Sequence, residues 1–254
     1  MDEVTYVDPG LNLTCGMGWI STTYPFQTDH EFFAGTSPLY PVGLSLWARV
    51  FGVSMVSART YCYCLAALGT FLLWLGTFRF NLLTPAYRLM WLTFFSMEYA
   101  MNWMARNNRY DVWIFVGLGL AWFGASLHPL RLKYAVIFTG CFLIPFGGFV
   151  GVPYVFLAAG LVIILSKFKF LKEAVTAMSG AVPGVVGVGL FYLAFGKLDT
   201  FRNVLHNMTF TEQSKTSSLF KVFLYPMYDC FWFSKIWRYL EKDRCLSLRR
   251  INGT

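Results

Sequence analysis

Residues 134–166 read YAVIFTGCFLIPFGGFVGVPYVFLAAGLVIILS. The run carries no charge, and it is bracketed by Arg131 and Lys133 on one side and by Lys167, Lys169 and Lys172 on the other. A bilayer core about 30 Å thick needs about 20 helical residues to cross, so the run is too long for one untilted helix. Its centre, Pro145-Phe146-Gly147-Gly148-Phe149-Val150-Gly151-Val152-Pro153, supplies a break. Proline and glycine interrupt helices, so the reading is two short helices in a hairpin, with a re-entrant pair as the alternative.

Working outward, the composition agrees. The chain is 56% hydrophobic and 13% charged, with 26 Phe, 9 Trp and 14 Tyr. Soluble domains carry about 25% charged residues. A polytopic membrane protein is the class this defines. The net charge of +8 belongs to basic loop ends, which excludes nucleic acid as the partner it would otherwise suggest. The six cysteines show no metal-ligand spacing, since Cys62 and Cys64 are too close and lie in an apolar run.

Further crossings are expected over 56–78, 87–104, 112–127 and 174–195, the last kinked at Pro183-Gly184. Residues 1–40 are polar and lack helical periodicity, so they read as an extended loop with short elements. Ser37-Pro38-Leu39-Tyr40-Pro41 breaks the chain, and residues 42–51 are too short to span and read as an interface helix ended by Gly52. Residues 220–237 read as interfacial, with a polar tail beyond. The predicted fold is an all-α polytopic bundle of about six crossings. Its core is 1–196, followed by an outer loop and tail over 197–254.

Arg79, Arg88, Arg131, Lys133, Lys167, Lys169 and Lys172 recur on one side of this topology. Basic residues favour the cytoplasm, so the acidic N-terminal segment, the 106–111 turn and the segment after Lys197 are expected outside. Arg106 and Arg109 run against that bias, which invites a functional reason.

Those outer segments hold the candidate chemistry. Asp2, Glu3, Asp29, His30 and Glu31 lie in the first segment, and Asp111 starts a membrane helix at its outer end, where free amides stabilise a carboxylate. A carboxylate in such a cleft can take a proton from an attacking hydroxyl. A carboxylate or imidazole can hold a divalent metal against phosphate. Arg106 and Arg109 can grip phosphate by bidentate bonds. The plain alternative is a solvated acidic loop and a snorkelling turn. Glu98, inside the 87–104 span, is costly there and reads as facing a polar cavity or a hydrated end. His128 reads as a loop residue, and His206 lies in the late outer segment. Asn12-Leu13-Thr14, Asn207-Met208-Thr209 and Asn252-Gly253-Thr254 match the glycosylation pattern, the first two facing outward.

Five matches in order carry a family resemblance. They are the acidic pair Asp2-Glu3, the step Gly16-Met17-Gly18-Trp19, the entry Ser37-Pro38-Leu39-Tyr40-Pro41, the run Phe51-Gly52-Val53-Ser54 with Ser57-Ala58-Arg59, and Ala105-Arg106-Asn107-Asn108-Arg109-Tyr110-Asp111. Over residues 1–196 the chain resembles the amino-terminal half of the GT-C type polytopic glycosyltransferases, in the RgtA/B/C/D-like group that includes protein mannosyltransferases and aminoarabinose lipid A transferases. It departs from that pattern in showing no membrane helix before Asp2-Glu3, in having Tyr110 where proline is usual, and in its short length.

The resemblance implies a sugar moved from a polyprenyl-phosphate donor to a lipid, glycan or protein acceptor at the outer face of the plasma (inner) membrane. It implies Asp2 as catalytic carboxylate and Asp111 as the second. Glu3, Arg59, Arg106 and Arg109 are the substrate-binding residues, the arginines positioning the loop or the lipid phosphate. It places Glu31 and His30 where members carry a metal-binding or donor-phosphate-facing residue. A transporter-like protein and a truncated, non-catalytic membrane subunit stand as rival readings.

Overall fold

The computed structural model describes residues 2–24, 27, 30–35, 37–80, 86, 89, 90, 93, 109–149 and 151–211, with the backbone alone for Asp2, Glu3 and residues 207–211. The elements run α1 (Asp2–Thr14), β1 (Ile20–Ser21), β2 (Glu31–Phe32), α2 (Leu39–Phe51), α3 (Met55–Arg79), α4 (Val112–Ala125), α5 (Leu130–Gly147), α6 (Gly151–Leu165), α7 (Leu171–Ala194) and α8 (Leu198–Thr211). Among the described residues the fold is all-α apart from one antiparallel strand pair, with Ile20 opposite Phe32 and Ser21 opposite Glu31.

Three of these helices, α3, α5 and α7, combine the length and apolarity of membrane spans, at 25, 18 and 24 residues. The helices α4 and α6 are apolar but shorter. Large apolar side chains line the outside of the spans, among them Phe71, Phe138, Val186 and Leu190. Such a surface suits lipid rather than water, and the chain is an integral membrane protein. The expected span over 87–104 lies almost wholly outside the described residues, as do Glu98 and Arg106.

Helix directions follow from side-chain contacts. Tyr61 meets Trp113 and Thr77 meets Trp122, so α3 and α4 run parallel. The chain at Phe80 and the chain at Arg109 therefore sit at opposite ends of this pair. Helix α5 returns antiparallel to α4. A Cβ on Gly140 would lie 2.6 Å from the Gly117 carbonyl oxygen, and one on Gly124 would lie 2.9 Å from Ile137 N. Backbones this close admit only glycine, the small-residue packing that serves helix pairs in lipid. Helix α7 lies parallel to α5, with Gly180 and Gly184 against the carbonyls of Phe138 and Phe142.

The hairpin expected at 134–166 is present, as α5 and α6 joined through Gly148 and Phe149. Gly148 N bonds Ile144 O, and Gly148 packs against Tyr110. The break therefore sits at one end of the bundle. Pro183 lies within a continuous α7.

The N-terminal segment differs from the loop expected over 1–40. Residues 2–14 form α1, although Pro9 lies inside it. An interior proline loses an amide bond and opposes helix by about 3 kcal/mol, so local sequence argues for a turn. Tertiary packing overrides that preference. Pro9 and Gly10 are buried, and a Cβ on Gly10 would meet Leu44 Cδ2 at 2.9 Å, so Asp8-Pro9-Gly10 is where α1 presses onto α2. Helix α1 then ends at Gly16, whose φ of +78° lets Met17 N reach back to Asn12 O. The segment after Lys197 also forms a helix, α8, and its Phe201 stacks on Tyr192 of α7 at 4.3 Å.

The motif Phe51-Gly52-Val53-Ser54 is the α2–α3 corner. Gly52 ends α2 at φ +89°, and Ser54 caps α3 by accepting from Ser57 N at 3.1 Å. Helix α2 buries Tyr40, Leu44 and Ala48 and exposes Val42, Leu46 and Val50. It begins three residues earlier than expected, at Leu39.

The two ends of the bundle are chemically unlike. The starts of α3, α4 and α6 and the ends of α5 and α7 form one end, which the N-terminal segment caps. Arg79, Arg131, Lys133, Lys167, Lys169 and Lys172 all lie at the other, with Lys133 Nζ 2.7 Å from Glu173 Oε1 across α5 and α7.

Candidate site where the N-terminal cap meets the Arg109–Asp111 turn

The cap is built on α1. Asp8 Oδ2 accepts from Thr22 N at 2.6 Å and from Ser21 Oγ at 3.1 Å, and its Oδ1 accepts from Thr22 Oγ1 at 3.0 Å. A charged acceptor with three donors makes strong bonds, so Asp8 fixes the strand pair to the helix. Asn12, 4% exposed, donates Nδ2 to Ile20 O at 3.2 Å on the next turn. Asp8 was missed at the sequence level because its partners lie 13 and 14 residues away, with no local pattern to mark them. Asn12 is buried and already bonded through the nitrogen a glycan would use, so it does not suit the acceptor role that the Asn12-Leu13-Thr14 pattern suggested. The side chain of Asn207 lies outside the description.

An aromatic layer joins the cap to the bundle. Trp19 Nε1 donates to Phe33 O at 2.6 Å, and Tyr192 of α7 donates to Gly35 O. Tyr40 packs on Tyr61 with ring centres 5.7 Å apart. Tyr6 of α1 stands edge-on to Tyr110 at 4.9 Å. Tyr6, Tyr24, Tyr40 and Tyr110, with Phe33, Ser37 and Pro41, line a small recess at this junction. Burial and the neighbouring Tyr6 push the Tyr24 hydroxyl above its ordinary range, so it stays neutral.

Beside the recess lies the charged pair. Arg109 Nε donates to Asp111 Oδ2 at 2.7 Å, and the side chains are 24% and 17% exposed. The guanidinium also lies over the Tyr6 ring, 5.9 Å from its centre. The expectation that the free amides of α4 hold Asp111 is corrected, since Asp111 makes no side-chain cap bond and Arg109 holds it instead. Asp111 Oδ1 is sealed from solvent and has no hydrogen-bond partner among the described residues. Burial drives the Asp111 carboxyl above the usual carboxylate range, and the Arg109 charge and hydrogen bond only partly oppose that shift.

The sequence-level candidates fall as follows. Asp2 and Glu3 open α1, and their side chains lie outside the description. Tyr6 follows Asp2 by four residues, about one helical turn, in α1. Arg59 is exposed on the first turns of α3, at the cap end. Arg109 and Asp111 are paired, and α1 reaches them through Tyr6. Arg106 and Asp29 lie outside the described residues. His30, at φ +64°, and Glu31, which starts β2, are exposed neighbours on the rim of the cap. For a metal they offer two donors, and among the described residues no group of three His, Cys, Asp or Glu side chains converges.

Two further buried polar atoms lack a hydrogen-bond partner among the described residues, Trp47 Nε1 of α2 and Ser57 Oγ of α3. Both lie at the cap end, as Asp111 does. The class so defined is a helical integral membrane protein whose polar residues converge under a folded cap at one end. No protein-family model, curated protein or solved structure matches this chain.

Proposed function

We propose that this protein is a glycosyltransferase of the GT-C type. It moves a sugar from a polyprenyl-phosphate donor to a lipid, glycan or protein acceptor, with the cap on the outer face of the plasma membrane and the basic end in the cytoplasm. The observation that carries the reading is the meeting of α1 with the Arg109–Asp111 turn. Tyr6, one helical turn after Asp2 in sequence, packs on Tyr110 and under the Arg109 guanidinium, beside a carboxylate with one oxygen committed to Arg109 and one sealed oxygen that has no hydrogen-bond partner among the described residues. Buried polar groups without partners are rare, and a reacting site is one of the reasons they occur.

In the proposed reaction the acceptor oxygen attacks the anomeric carbon. The bond from that carbon to the phosphate oxygen breaks, and the lipid phosphate departs with the electron pair. The acceptor proton passes to a carboxylate, Asp2, with Asp111 as second carboxylate. Burial raises the Asp111 carboxyl, and a raised pKa makes a carboxylate a stronger proton acceptor than its exposed counterpart. Arg59, Arg106 and the guanidinium of Arg109 stabilise the departing phosphate, and the lipid-facing helices seat its chain. Two observations support about six crossings. Phe80 and Arg109 lie at opposite ends of the α3–α4 pair, which suits a return over 87–104, and α4 and α6 lie within the bundle beside the longer spans.

A transporter reading rests on the Pro/Gly centre of 134–166 and on Glu98, which lies outside the described residues. Broken transporter helices place their break near the bilayer midplane. Here the break closes a hairpin at the cap end, beside Tyr110, which favours the enzyme.

The test is sugar transfer from a polyprenyl-phosphate donor by the membrane-embedded protein and by its Asp2→Asn and Asp111→Asn variants, with thermal melting as the folding control. The expected result is loss of transfer in folded variants. Transfer at the parent rate in both would falsify the assignment.

A further inference from the structure

At the end of the bundle opposite the cap, helices α6 and α7 are joined by Ser166-Lys167-Phe168-Lys169-Phe170, and Leu171-Lys172 begins α7. Phe168 N bonds Ile163 O at 2.9 Å and Lys167 N bonds Ile164 O at 3.1 Å. This is the closing pattern in which a left-handed residue, usually glycine, ends a helix. Here the left-handed positions are Lys167, at φ +49°, and Phe168, at φ +67°. Closure alone would be met with less strain by glycine, so the two side chains are held there against a backbone preference.

Those side chains point away from the protein. Lys167, Phe168, Lys169, Phe170 and Lys172 are all exposed, Phe168 at 66%. Arg131, between exposed Leu130 and Leu132, lies at the same end, as does exposed Arg79. The acidic residue of this end among the described ones, Glu173, is committed to Lys133. The surface thus alternates cations with apolar side chains at the termini of membrane-length helices. Exposed phenylalanine gains nothing from water, while a headgroup layer accepts an aromatic ring at its acyl boundary and an ammonium at its phosphates.

We propose that the Lys167–Lys172 turn, with Arg131, is a binding surface for anionic phospholipid headgroups. Its lysines contact lipid phosphates, and Phe168 and Phe170 insert beside them. The surface lies at the far end from the candidate site and is independent of the reaction assigned there.

The test uses the full chain purified in mild detergent and titrated with phosphatidylglycerol or phosphatidylcholine, reading melting temperature and bound lipid by native mass spectrometry. Phosphatidylglycerol should bind and stabilise more strongly, with the preference shrinking as salt is raised. The triple variant Lys167→Gln/Lys169→Gln/Lys172→Gln should lose about fivefold in anionic-lipid affinity per lysine removed. The corresponding Lys→Arg triple should retain the preference, which separates charge from folding. Phe168→Ala/Phe170→Ala should weaken binding of both lipids. Equal binding of the two lipids by the parent chain, or an unchanged preference in the glutamine triple, would overturn the proposal. Competition by soluble glycerol phosphate at the lipid's own concentration would also overturn it, in favour of a free-anion site.

Discussion

Replacing Arg109 with Leu tests the electrostatics of the candidate site most directly. The Arg109–Asp111 contact is 2.7 Å long, and its side chains are 24% and 17% exposed. Removing one member of a fully buried pair costs about 3–5 kcal/mol, whereas an exposed pair is worth about 0–1 kcal/mol. A mostly covered pair falls between, so R109L should cost about 2 kcal/mol. For a chain of this size that lowers the melting temperature by roughly 4–8 °C. Adding Asp111→Leu should recover part of the loss, because the carboxyl left unpaired is then gone.

The pH dependence has a definite sign. Burial raises the Asp111 carboxyl above its unfolded value, with Arg109 pulling it back incompletely. The stability linked to the bound proton is therefore complete below pH about 4, the unfolded value, and is lost as pH rises through the folded value. Without Arg109 the folded value rises further, and the loss extends to higher pH. The gap between parent and R109L should widen from pH about 4 towards neutrality. Melting curves of parent, R109L and R109L/D111L in detergent across this range measure it. A gap that does not change with pH, or a double variant no more stable than R109L, would refute the reasoning.

Three further outcomes are expected. Gly140→Leu should disrupt the α4–α5 contact and destabilise by about 1–3 kcal/mol or more, while Gly189→Ala, where a Cβ meets nothing within 4 Å, should match or slightly exceed the parent in a parallel melt. Asp8→Ala removes three hydrogen bonds from the strand pair; hydrogen exchange at the Thr22 amide should accelerate and stability fall by about 1.5–3 kcal/mol. When the chain is expressed in a glycosylating host, peptide mass spectrometry should find Asn12 unmodified, and a glycan there would contradict its 4% exposure.

Hydropathy and charge made the membrane class legible, because an apolar run of crossing length states its solvent without reference to any partner. The uncharged 134–166 run resolved into a hairpin at its Pro/Gly centre for the same reason, since those residues punctuate the backbone locally. The clustering of Arg131, Lys133, Lys167, Lys169 and Lys172 at one end followed from counting crossings between them. The turn ending at Asp111 was also marked, by arginines on a side where the basic bias did not place them. What those arginines touch was not legible from sequence.

Tertiary structure alone decided the rest. A polar segment with Asp8-Pro9-Gly10 at its centre is locally a poor helix, and it becomes α1 because Gly10 admits Leu44 and Asp8 finds Ser21 and Thr22. Asp111 stands at the start of a helix whose amides could have held it, but Arg109 and burial determine its charge balance instead. The parallel course of α3 and α4 depends on Tyr61 meeting Trp113 and Thr77 meeting Trp122. Solvent preference is a property of single segments and can be read along the chain, whereas pairing energies arise only between groups that folding brings together.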